Sequence, residues 1–187
     1  MKTKYSILIV AFSIVCLAIT SRAQSTDAVK KANKSNDEKA DKNLVSEDDA
    51  VFLVKSADAR MMGASEGKLA LQKSANASIK KYGQLMIDDQ RMLLAKIKSL
   101  ASKKGISLPA TISDKKEDGR EDLAKEGVED FDKKFVKMMI IDHERDIKLF
   151  DKATTSTDPD IRVFAGKYLP LIKSHLEKIE AIKDELK

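Results

Sequence analysis

The chain has 187 residues, 35% of them charged and 5% aromatic, with two histidines and one cysteine. That length suits one domain of ordinary size, and a single cysteine excludes a disulfide framework within the chain. The net charge of +5 is spread over interspersed Lys and Glu, which describes a solvated surface and excludes the concentrated basic face of a nucleic-acid binder.

The first 23 residues read as a secretory signal peptide. Lys2 and Lys4 precede an apolar run over 5–19, and the small-residue stretch Thr20-Ser21-Arg22-Ala23 follows, so cleavage is expected between Ala23 and Gln24. The apolar run is short for a membrane span, and the rest of the chain offers no other candidate. Cys16 raises the question of a lipoprotein signal, but Val15 stands where a small residue is expected. Cleavage at Ala23 removes Cys16 and also Lys2, Lys4 and Arg22, so the remaining chain is cysteine-free and less basic. The expected location is the periplasm or cell envelope.

Residues 24–45 are polar, with Val29 the one large apolar side chain before Asn43. Such a segment buries too little to offset its ordering, so a flexible tether is expected. Order is expected from Ser46, where Ser46-Glu47-Asp48-Asp49 resembles a capping box. Four helices fit the pattern beyond it. Helix A spans 47–74. Helix B spans 77–104, capped by Asn76 and stopped by Gly105. A loop with Pro109 and a weak helix over 114–125 form the longer B–C connection. Helix C spans 129–154. Helix D starts at Asp158-Pro159 and runs to the C-terminus, with a kink expected at Pro170. No alternating strand pattern stands out. The expectation for 46–187 is an all-α, antiparallel four-helix bundle with one long connection.

Projected at about 100° per residue, each helix shows an apolar arc broken by polar groups. Helix A carries Glu66 within its arc. Helix B carries Gln90, with Asp89 at the edge. Helix C carries Asp142 and Asp146 inside, with His143 flanking. Helix D carries His175 near the centre. Burying one such group alone costs several kcal/mol unless it is paired or metal-bound, so four breaks on four helices are expected to meet in the interior. Two readings stay open. One is a hydrogen-bonded network that binds nothing. The other is a metal site for iron, manganese or zinc, with Glu66, Asp89, Asp142, His143 and His175 as candidate ligands and Gln90 and Asp146 nearby. The di-iron pattern is incomplete, because no Glu-x-x-His occurs. Met61, Met62, Met86, Met92, Met138 and Met139 invite a copper(I) reading, although thioethers also fill cores, and adjacent pairs such as Met138-Met139 are not expected to face inward together. No phosphate loop, nucleophile elbow or cysteine nucleophile is present, so the expected protein is non-catalytic.

With these residues in view, the chain resembles an exported bacterial family of unknown function with a ferritin-like four-helix fold, whose members are often labelled outer-membrane proteins. The resemblance rests on Asp49-Ala50-Val51-Phe52-Leu53, Glu66-Gly67-Lys68-Leu69-Ala70, Met86-Ile87-Asp88-Asp89-Gln90, Lys104-Gly105-Ile106-Ser107-Leu108-Pro109, Asp142-His143, Asp158-Pro159-Asp160 and Leu169-Pro170 with His175-Leu176. It implies a polar centre at Glu66, Asp89, Asp142, His143 and His175. The family usually has histidine where Gln90 stands. Beside the non-catalytic reading stand a di-metal oxidoreductase of ferroxidase type and an interaction module presented on a tether in the envelope.

Overall fold

The structure is a computed structural model that describes residues 27–186. The expected signal peptide, its cleavage site and Cys16 lie outside the described residues. Within them the chain forms six helices and no strand. They are α1 (Ala28–Ala40), α2 (Glu47–Lys73), α3 (Ala77–Lys104), α4 (Asp114–Ala124), α5 (Val128–Ala153) and α6 (Pro159–Glu185).

The long helices begin and end where local chemistry sets them. Ser46 accepts from the Asp49 amide, Asn76 from Ser78 and Ile79, and Asp158 from Asp160 and Ile161. Each cap satisfies amides that the first turn leaves without a partner. Gly105 closes α3 in the left-handed region at φ 68°, which glycine adopts without penalty. Pro159 begins α6 with its ring in the first turn, and α6 continues as one helix through Pro170.

The expected tether differs from what forms. Ala28–Ala40 is helical, capped by Asp27, and lies against α2. Its hold is polar. Asn36 donates from Nδ2 to the Ser107 carbonyl at 2.8 Å and accepts the Ser107 amide at 2.7 Å. Lys39 reaches the Gly105 carbonyl at 2.7 Å. Ala32 and Asn36 are the buried positions. A count of apolar side chains gives no weight to this kind of docking.

Helix α2 is the most enclosed element. It packs against α1, α3, α4 and α5, while α6 packs on α5 and α3. The α2–α3 contact is close because two glycines meet there. A Cβ on Gly67 would lie 2.5 Å from the Gly83 carbonyl oxygen, and one on Gly83 would lie 2.8 Å from the Gly67 oxygen. Two apolar clusters result. One joins the start of α2 (Phe52, Leu53) to the ends of α3 (Ile97) and α5 (Phe150) and the start of α6 (Ile161). The other joins the end of α2 (Leu69) to the starts of α3 (Ile79) and α5 (Phe131, Phe135) and the end of α6 (Ile179). These pairings mean that α3 and α5 run against α2, and α6 against both. On every long helix the polar residues fall between the two clusters.

Candidate functional site

The polar layer assembles from all four long helices. Glu66, Gln90, His143 and His175 are each at most 2% exposed. Glu66, Gln90, Asp142, His143 and Asp146 line one cavity of about 620 Å³, walled by α2, α3 and α5, by Lys115, Lys116 and Gly119 of α4, and by Ser113 just before α4. His175 lies against it, its ring edge-on to that of His143 with centroids 5.6 Å apart. Asp89 meets His175 Nε2 at 2.8 Å.

Two placements depart from the helical projection. Asp142, expected inside, sits at the cavity rim and accepts from Arg145 at 2.7 Å, while His143, expected at the flank, is the buried residue. Arg60 was not expected at all. It is 1% exposed and paired with Asp146, its guanidinium 5.9 Å from the centre of the Phe150 ring. The projection assigns α2 one apolar face, but α2 is covered on nearly every side. The signal was available in Leu53, Val54 and Ala57, which extend the apolar residues of α2 around its circumference.

Burial sets the protonation states. It pushes the His143 imidazole down to about 3 and holds His175 below the ordinary histidine value, with Asp89 partly opposing. Burial raises the Glu66 carboxyl well above the usual carboxylate range, and Asp142 adds to the shift. Burial also lowers the Arg60 guanidinium to about 10. At neutral pH the layer therefore holds two neutral imidazoles.

Each imidazole has one nitrogen committed. His143 Nδ1 donates to the Met139 carbonyl at 2.7 Å, so Nε2 carries the lone pair, with the Tyr82 hydroxyl at a long 3.5 Å. His175 Nε2 donates to Asp89, so Nδ1 carries the lone pair. Among the described residues, His175 Nδ1, Glu66 Oε1 and Gln90 Oε1 find no hydrogen-bond partner, nor do Arg60 Nε and Nη1. Fixing one ring nitrogen and leaving the other open is how proteins orient an imidazole toward a metal.

The residues do not fit a di-metal centre. Asp89 is engaged by His175, Asp142 by Arg145 and Asp146 by Arg60. Among the described residues no three of His, Cys, Asp or Glu are grouped so as to hold a metal ion together. The soft donors are placed otherwise. Met62, Met86, Met138 and Met139 all line the cavity with His143. Met139 is buried and Met138 half-buried, so this adjacent pair does reach one cavity, from its inside and its rim. The Gln90 amide nitrogen is 3.6 Å from the Met86 sulfur.

An all-helical domain with a buried polar layer and a cavity at its side is the class of protein that fold and site define. A family model described as a domain of unknown function, DUF4142, matches residues 34–182, and the chain belongs to that family. No curated protein matches it. Two solved structures are similar. A DUF305 fragment from Deinococcus radiodurans aligns with TM-score 0.66 at 13% identity, over 74% of this chain and 96% of that one. CopM in its Cu(I)-bound form aligns with TM-score 0.62 at 18% identity, over 73% and 96%. At such identities the likeness is one of fold. Among the described residues no helix is long and apolar enough to cross a membrane.

Proposed function

We propose that the chain is an exported, non-catalytic four-helix bundle of ferritin-like type that binds copper(I) in its side cavity. The observation that carries this reading is the set of side chains on one cavity: Met62, Met86, Met138, Met139 and His143. Thioether sulfur with imidazole is a soft donor set, and soft donors select Cu(I) over hard divalent ions. The fixed Nδ1 of His143 and its lowered pKa keep Nε2 available as a neutral ligand at physiological pH. That CopM, a similar fold, holds Cu(I) adds support.

The divalent reading over Glu66, Asp89, Asp142, His143 and His175 is weaker, because Asp89 and Asp142 already have partners. The same engagement weighs against a ferroxidase. The signal-peptide pattern of residues 1–23 supports an envelope location, and peripheral association with the outer membrane is compatible with it.

Anaerobic titration with Cu(I) against a chromophoric chelator, beside thermal shifts with Zn(II), Mn(II) and Fe(II), tests the proposal. Cu(I) binding and a raised midpoint are expected by mass action on the folded state, with both lost in Met86→Leu/Met139→Leu. A shift with the divalent ions and none with Cu(I) returns the site to the carboxylate–imidazole reading. No shift with any ion leaves the layer as a structural network.

A further inference from the structure

The α4 wall of the cavity brings a cation with it. Lys116 lines the cavity, its side chain only 24% exposed, and its Nζ lies 3.6 Å from Asp58 Oδ2. Neutral donors from Ser113 also hold Asp58. The Ser113 amide donates to Oδ1 at 2.8 Å and the Ser113 hydroxyl to Oδ2 at 3.0 Å, so both oxygens are already held. Asp142 and Asp146 have guanidinium partners of their own. Glu66 does not, and among the described residues its Oε1 is unpartnered.

We propose that Lys116 is a tethered counter-cation of this cavity, paired with Asp58 on its wall, whose charge opposes an incoming metal ion and so sets how tightly the cavity binds one. This rests on the reading of the cavity as a cation site. A like charge held nearby in a partly desolvated space opposes entry of a second positive ion far more than a surface lysine does. Lys81 on α3 is exposed and lies outside the cavity lining, and serves as the control.

The test is Cu(I) affinity by chelator competition for the wild type, Lys116→Gln, Lys116→Arg and Lys81→Gln, each first shown to keep the wild-type circular dichroism spectrum. Lys116→Gln is expected to bind about tenfold tighter. Lys116→Arg, which keeps the charge, and Lys81→Gln are expected to match the wild type. Equal affinity of Lys116→Gln and the wild type overturns the counter-cation while leaving the copper site standing. Binding by Lys116→Gln but not by the wild type supports the counter-cation and removes the copper reading of the native chain. Binding by neither overturns both.

Discussion

The apolar clusters and the polar layer between them are built on opposite terms. In the cluster around Phe131 and Phe135 the rings stack with centroids 5.8 Å apart, and each is fully buried. Nothing there needs a partner beyond shape. In the layer every buried group needs one, and the bonds are unevenly distributed: Arg60 has Asp146 and His175 has Asp89, yet both side chains also keep atoms without a bond, as do Glu66 and Gln90. The clusters account for why the chain folds. The layer adds specificity at a cost in desolvation, and its unpartnered acceptors mark where a ligand has something to gain.

Substitutions in the two regions should therefore differ in kind. Phe135→Ala removes a fully buried ring and should cost about 3–5 kcal/mol of unfolding free energy in denaturant titrations. A loss under about 1 kcal/mol would mean the cluster is loosely packed. Arg60→Met leaves Asp146 buried without its partner and should cost about 3 kcal/mol. Adding Asp146→Leu should return most of it, because a buried ion pair is often replaceable by apolar groups when both members go together. Additive losses in that double variant would show that the pair itself holds the layer.

Acid should act on the layer and spare the clusters. His143 is neutral when folded and titrates near 3, while an unfolded histidine titrates near its ordinary 6.5. Between those values the unfolded chain binds more protons, so stability falls as pH drops. The slope from this group is about 1.4 kcal/mol per pH unit. The difference in unfolding free energy between wild type and His143→Gln should show that slope between about pH 6 and 4. A flat difference would mean that His143 is not held neutral. Glu66 has the opposite sign. Its raised folded value means stability is lost as pH rises above the unfolded carboxyl value. Glu66→Gln should thus be neutral or slightly stabilising at pH 7 and should flatten that part of the profile. A marked destabilisation at pH 7 would indicate that Glu66 works as a carboxylate.

The two regions were also unequally legible in the sequence. Cluster residues such as Phe52, Ile79, Phe135 and Ile172 follow from helical spacing, and the caps at Ser46, Asn76 and Asp158 fix the helix starts. In the layer, spacing put Glu66, Gln90 and His175 inside, where they are buried, but it also placed Asp142 inside and His143 at the flank. One arc drawn over 26 residues averages a face that turns along α5, which meets different partners at its two ends. Arg60 escaped because a charged residue reads as solvent-facing unless its helix is known to be surrounded. Helix α1 escaped because it docks through Asn36 and Lys39 instead of an apolar face. The methionines were named one by one, but only tertiary structure brings Met62 and Met86 to the cavity that Met138 and Met139 line.

X-ray absorption at the copper edge, on protein loaded anaerobically with Cu(I), reads the donor atoms of the side cavity directly. The account predicts sulfur scattering together with a nitrogen from imidazole, with the sulfur contribution reduced in Met86→Leu/Met139→Leu and the nitrogen contribution reduced in His143→Gln. A spectrum with oxygen and nitrogen donors alone, or one unchanged by those substitutions, would contradict it.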